Sequence, residues 1–162
     1  MGNKTDIIVY FAGAIRGDRV MGYMIQEIVG YIKGLGFQVL TEHVGSDDPI
    51  ATFASKIGKT KDTLTAEDIE SQDIAWLDQA THVIAEISGA STGTGREIEY
   101  ARVKGVLGKT PSQILCLYHS DREFYASPMV RGMSQSKYPN VRIKKYKDLS
   151  ETKVIIKNFL DS

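Results

Sequence analysis

"HVIAEISGASTGTGREIEYA", residues 82–101, decides how the chain folds. Its first seven residues are too continuously apolar for a strand with one face in water, which predicts a strand buried on both faces of a parallel sheet. The Ser/Thr/Gly run that follows ends in a charged segment of helical period, so the stretch reads as strand, loop and helix start. Two familiar phosphate motifs share this outline and do not apply. The dinucleotide fingerprint needs a third glycine where Ile98 stands, and the phosphate loop needs a Lys-Ser or Lys-Thr pair that does not follow Gly95. The physics beneath both survives: small residues let backbone approach a ligand, and a helix start offers unpaired N–H groups to an anion. That anion is either a phosphate or the chain's own Glu97.

Working outward, further apolar runs at 6–13, 37–42, 113–119 and 141–146 read as strands, and 18–34, 65–80, 96–107 and 150–161 carry helical period. The alternation predicts a doubly wound α/β fold of flavodoxin/Rossmann-like kind, a five-stranded parallel sheet with helices on both faces, built as one domain over 1–162. In such sheets ligands sit outside the carboxyl ends of the strands, near the switch point of strand order. The segment 45–63 is the least patterned and reads as a mobile flap over that site. The charged stretch "RIKKYK" (142–147) reads as a solvated edge strand.

The 162 residues hold 20 Lys+Arg and 20 Asp+Glu, a balance that gives no pull toward nucleic acid or a membrane surface. No apolar run is long enough to span a bilayer. The single cysteine, Cys116, lies inside "ILCLY" and reads as a buried thiol in a reducing compartment, so the expectation is a cytosolic or nuclear protein. His43, His82 and His119 lack metal-ligand spacing, and no G-x-S-x-G surrounds any serine, so neither metal nor cofactor is expected.

The helix at 65–80 contains an anomaly. Thr65 and Asp68 form a capping box that sets its start. At 100° per residue, Ile69, Trp76, Leu77 and Ala80 make an apolar stripe, and Asp73 falls inside it at ~40° from Ile69. A carboxylate there is either held by a structural partner or is an acid with a raised pKa. Glu97, placed in the first turn of a helix at 96–107, is expected to be favoured as its ionised form by the macrodipole, a setting equally common for helix stability alone. Two carboxyls in contrasting settings is how acid and nucleophile are separated in glycoside hydrolysis. Tyr10, in an otherwise aliphatic strand, needs a partner for its hydroxyl if buried. Gly13, Arg16 and Gly17 read equally as a phosphate cradle or as an ordinary turn with a surface arginine. His43 either lines the pocket or caps a strand end.

Taken in order, "YFAGAIRG", "LTEHV", "QDIAWLDQATHVIAEIS", "ASTGTGREIEYA", "ILCLY" and "SPMVRGM" resemble the 2'-deoxynucleoside 5'-monophosphate N-glycosidases of the nucleoside 2-deoxyribosyltransferase superfamily. The resemblance spans about residues 7–146 and implies hydrolysis of a deoxynucleotide to free base and 2-deoxyribose 5-phosphate. It implies Glu97 as nucleophile, Asp73 as proton donor, and Tyr10 as the group that orients Glu97 and crowds the sugar's 2' position. It further implies a substrate site made by Gly13, Ala14, Ile15, Arg16, Gly17, His43, Ser91 and Gly93, with Ser127 and Met129 of "SPMVRGM". Family members are homodimers in which the serine matched by Ser127 completes the neighbouring phosphate site. Three alternatives stay open: a deoxyribosyltransferase that exchanges bases, a ribonucleotide N-glycosidase of CMP type, and a non-catalytic nucleotide-binding module.

Overall fold

The computed structural model describes residues 6–17 and 19–162. Asp18, the first residue of the helix expected at 18–34, lies outside the described residues. Five parallel strands, β1 (Ile8–Ala12), β2 (Gln38–Val39), β3 (His82–Glu86), β4 (Gln113–His119) and β5 (Val141–Tyr146), form one sheet in the order β2-β1-β3-β4-β5. The helices are α1 (Gly22–Gly34), α2 (Pro49–Lys56), α3 (Ala66–Gln79), α4 (Thr92–Val103), α5 (Pro128–Arg131) and α6 (Leu149–Leu160). The doubly wound architecture read from the sequence is the one observed.

Alternation along the strands divides the core in two. Val9, Phe11, Ile84, Leu115 and Leu117 point to one face, where they meet the buried stripe of α1 (Met24, Ile25, Ile28, Val29, Ile32) and Ile156 and Phe159 of α6. Tyr10, Ala12, Val83, Ala85, Ile114 and Cys116 point to the other, against Leu77 of α3 and Ile98 and Ala101 of α4. Cys116 is a free buried thiol, as expected, and burial pushes its pKa up to about 12. The chain leaves β1 toward β2 and returns across it to β3, so the switch point lies between the carboxyl ends of β1 and β3.

Three expectations need correction. The strand expected at 37–42 pairs only over Gln38–Val39. Beyond it the hydroxyl of Thr41 accepts from the Phe11 N–H at 2.7 Å and donates to the Phe11 carbonyl at 2.6 Å, taking over the bonds a longer strand would make. Glu42 is drawn instead into a 3₁₀ turn, Glu42–Gly45, bridged to Lys33 and Lys56. Second, 45–63 is no unpatterned flap, because it contains α2, started by Asp48 accepting from the Ala51 N–H at 3.0 Å with Pro49 behind it and anchored by buried Phe53 and Ala54. Third, α4 begins at Thr92, four residues before the expected start. Ser91 is its N-cap, and Gly93 and Gly95 sit inside the helix, where glycine costs about 1 kcal/mol relative to alanine.

The capping box of α3 is present in full: the Thr65 hydroxyl accepts from the Asp68 N–H at 3.1 Å, and the Asp68 carboxylate accepts from the Thr65 N–H at 2.9 Å. Thr65→Ala should cost about 1 kcal/mol, a fall of about 3 °C in Tm for a chain of this size. Thermal unfolding followed by circular dichroism reads this directly, and an unchanged Tm would show that the box does not hold α3.

Candidate active site

Two loops leave the sheet at the switch point. Gly13–Gly17 follows β1, and Ile87–Ser91 follows β3 and caps α4. They touch at Gly17, where a Cβ would stand 2.3 Å from the Ala90 carbonyl oxygen, so no side chain fits there without separating the loops. Within the first loop Gly13 is also tight, its missing Cβ 3.0 Å from Ile25 Cδ1, and Ala14 is buried. Ile15 packs on the α1 side of the core, which leaves Arg16 as the side chain of this loop that faces open space.

That space is a cavity of about 310 Å³ between α3 and α4. Ile69, Ile74 and Leu77 of α3 form its apolar wall, Arg16 and Gly93 lie at one side, and Asp73 and Glu97 project into it. Sequence periodicity put Asp73 on the buried stripe of α3, and the structure brings it to Glu97 and Tyr10. The Tyr10 hydroxyl donates to Glu97 Oε1 at 2.6 Å.

Both carboxyls are harder to ionise than usual. Burial raises Asp73 to about 6, opposed by hydrogen bonding to Tyr10 and assisted by the charge of Glu70. Burial likewise raises Glu97 to about 7; the Tyr10 hydrogen bond and the Arg96 charge pull it down, while the charge of Asp73 pushes it up. The Tyr10 phenol is driven well above its ordinary range by burial and by the two carboxylates. The expected contrast, Asp73 raised and Glu97 held ionised by a helix start, is therefore corrected. Because α4 starts at Thr92, Glu97 lies in its second turn, past the unpaired N–H groups, in the same largely apolar cavity as Asp73.

The remaining expected residues fall in three places. Ser91 Oγ accepts from the Thr94 N–H at 3.2 Å and the Thr94 hydroxyl at 3.1 Å. Ser91 also faces Ser127 across an adjoining cavity of about 280 Å³, while Gly93 lines the first cavity. Met129 is 85% exposed. His43 is buried to 2% exposure in an aromatic cluster with Phe53 and Trp76, at 5.1 and 5.6 Å between ring centroids, and lies outside the walls of the carboxylate cavity. Burial takes its pKa down to about 4, so the ring is neutral.

Sequence reasoning missed the ion pair at the cavity rim, Arg96 Nη2 to Glu70 Oε1 at 2.6 Å, which ties α4 to α3. The signal was present, since Glu70 precedes Asp73 by one helical turn and Arg96 adjoins Glu97. Also missed was Glu86, a carboxyl inside the apolar run of β3, buried against Tyr146, which donates to it at 2.9 Å, and against the Ser88 hydroxyl.

A carboxyl with a raised pKa binds its proton more tightly in the folded state. The stability linked to Glu97 is thus full below the ordinary carboxylate range and is lost as pH climbs through about 7. Glu97→Gln should raise Tm by on the order of 3 °C at pH 8, with the gain vanishing toward pH 4.5. Paired melts across that range test this, and a pH-independent difference would contradict it.

No family model matches the chain. Individual relatives do. A 5-hydroxymethyl-dUMP N-hydrolase from Danio rerio is 31% identical over 95% of this chain and 96% of its own length. The mouse (Mus musculus) protein of the same name is 36% identical over 81% of this chain and 68% of its own. A Nematostella vectensis protein, provisionally named 2'-deoxynucleoside 5'-phosphate N-hydrolase 1, is 30% identical over 100% of this chain and 99% of its own. Among solved structures, a CMP N-glycosidase from Clostridium botulinum shares the fold with a TM-score of 0.63, covering 94% of this chain and 98% of that one at 17% identity. A half-buried pair of carboxyls, one of them bonded by a tyrosine, at the switch point, in a chain this similar end to end to such relatives, makes it a member of the 2'-deoxynucleoside 5'-phosphate N-hydrolase family.

Proposed function

We propose that the chain hydrolyses the N-glycosidic bond of 2'-deoxynucleoside 5'-monophosphates, releasing the base and 2-deoxyribose 5-phosphate through a covalent intermediate on Glu97. One observation carries this assignment: Asp73 and Glu97 line a single cavity, and the buried Tyr10 phenol donates to Glu97 from behind it. A binding module has no use for two carboxyls kept from ionising by burial, whereas a glycosidase needs one as a nucleophile and one as an acid.

In the first step a Glu97 oxygen bonds to the anomeric carbon as the C–N bond breaks, and the proton of Asp73 passes to the departing base. Water then adds to the same carbon, returning a proton to Asp73 and freeing Glu97. Between about 6 and about 7 the pair holds one proton, which the more strongly raised Glu97 retains in the free site; the chemistry uses the alternative arrangement, with that proton on Asp73 and Glu97 ionised against the Tyr10 hydroxyl. Tyr10, seated in β1, steadies Glu97 from behind the cavity, and in this proposal a sugar bonded to Glu97 is crowded by it at the 2' position, which favours deoxyribose.

Arg16 and the start of α4 at Ser91 and Gly93 suit the 5'-phosphate, the first through its guanidinium and the others through helix-start N–H groups. We assign a homodimer in which Ser127 completes the phosphate site of the neighbouring subunit. Exposed Phe124, Tyr125 and Met129 support this, since they put apolar surface on either side of Ser127 where a second subunit would cover it. The single, buried, unpaired Cys116 supports a reducing intracellular location, cytoplasm or nucleus.

Incubation with a panel of deoxynucleoside monophosphates, the matching ribonucleotides and the unphosphorylated nucleosides, with released base quantified by chromatography, tests the proposal. Release is expected from the deoxynucleoside monophosphates alone, with kcat/KM bell-shaped in pH and highest between about 6 and about 7. Base exchange on unphosphorylated nucleosides would favour a transferase, cleavage of ribonucleotides a CMP-type enzyme, and no release at all a binding module.

A further inference from the structure

Lys104, the residue that closes α4, is fully buried, which is rare for an ammonium without a carboxylate bonded to it. Its Nζ donates to the carbonyls of Leu77 at 2.6 Å, Ala80 at 2.7 Å and Asp78 at 3.4 Å, so all three of its hydrogens are used on the carboxyl end of α3. Besides these bonds the end is closed only locally, by the Ala80 N–H on the Trp76 carbonyl and the Gln79 amide on the Ala75 carbonyl, among the described residues. The last turn of α3 holds no basic residue, and its C-cap, Ala80, is extended at φ −67° and ψ 130° instead of left-handed. The Ser112 hydroxyl adds one further donor to the Ala80 carbonyl at 2.7 Å.

The position of this contact relative to the carboxyls is what gives it meaning. Leu77 and Ala80 lie four and seven residues beyond Asp73 on α3, and Lys104 lies seven beyond Glu97 on α4. Both helices return antiparallel to the sheet on the same face, so they run in the same direction. Seven residues are nearly two turns, so the clamp falls on the same faces as the carboxyls, about 10 Å further along. Two further contacts join the helices: the Tyr100 hydroxyl donates to Asp78 Oδ1 at 2.7 Å beside the clamp, and Arg96 pairs with Glu70 at the exposed cavity rim, where an ion pair holds weakly.

We propose that Lys104 is a positioning residue for the proposed hydrolase: its ammonium locks the carboxyl end of α3 to α4 and so sets the register at which Asp73 faces Glu97. The inference rests on the proposed roles of those two carboxyls. It explains why a cation is delivered from α4 through the interior instead of from the surface of α3. The proposed phosphate subsite lies on α4 and the β1 loop, so loosening α3 shifts the acid and the apolar wall beside it while the phosphate anchor stays in place.

The test is Lys104→Met, read in two ways. With the deoxynucleoside monophosphate that the wild type cleaves best, kcat should fall by about 10–100-fold, KM should stay within about twofold, and the alkaline limb of the pH profile should move to lower pH. By carboxyl ¹³C NMR titration, which needs no turnover, the pKa of Glu97 should drop as the Asp73 charge moves away. A fold-only role would lower Tm while leaving kcat per folded molecule, the pH profile and the titration unchanged, and that result overturns the proposal. If Lys104→Met does not fold, Lys104→Gln, which keeps a donor at the carbonyls, is measured in its place. Failure of both to fold makes the clamp a folding requirement and overturns the proposal as well. A wild type without turnover whose Glu97 titration still responds to Lys104 would sink the hydrolase assignment and uphold the clamp.

Discussion

The hydrogen bond from Tyr10 to Glu97 is the contact around which the molecule is arranged. It joins a central strand of the sheet to the helix that follows β3, and it does so where water has been largely excluded. In water a phenol and a carboxylate gain little from each other; behind an apolar wall of Ile69, Ile74 and Leu77 the same bond is strong and an unpartnered carboxylate is costly. The pocket therefore keeps a proton close to Asp73 and Glu97 near neutral pH, and Tyr10 decides which oxygen is left to act. Burial is the dominant cause of both raised pKa values, and in the proposed mechanism it supplies the acid and restrains the nucleophile at once.

The doubly wound topology makes this affordable. The strand order places the carboxyl ends of β1 and β3 side by side, and the loops from them meet at Gly17 and Ala90 too closely for any side chain between them. The start of α4 is thereby brought beside Arg16, and one helix presents free N–H groups, the proposed phosphate anchor, and, a turn later, a carboxyl. Helix starts favour anions and dry pockets disfavour them. α4 uses both properties by separating Ser91 and Gly93 from Glu97 along its length.

Much of this was legible in the chain. Continuous apolar runs between helical segments were enough for the sheet, because burial on both faces leaves no other pattern. Asp73 could be placed on the inner face of α3 by angle alone, and the Thr65–Asp68 box fixed the start of that helix. The failures have local causes. Gly93 and Gly95 look like loop residues, so α4 appeared to begin at Arg96; only the Ser91 cap, a side-chain contact of three residues' span, reveals the true start. The shortness of β2 depends on the Thr41 hydroxyl reaching Phe11 from thirty positions away, which periodicity does not register. Lys104 reads as an ordinary surface lysine until the partner helix is in place, since its carbonyl partners are 24 to 27 residues distant.

The central claim is that Glu97, steadied by Tyr10, forms a bond to the sugar. Intact-protein and peptide mass spectrometry after acid quenching during turnover of a deoxynucleoside monophosphate tests it most directly. The account predicts a covalent 2-deoxyribose 5-phosphate adduct on the peptide that carries Glu97, absent from Glu97→Gln. Steady turnover with no adduct on any peptide, or an adduct on Asp73, would contradict it.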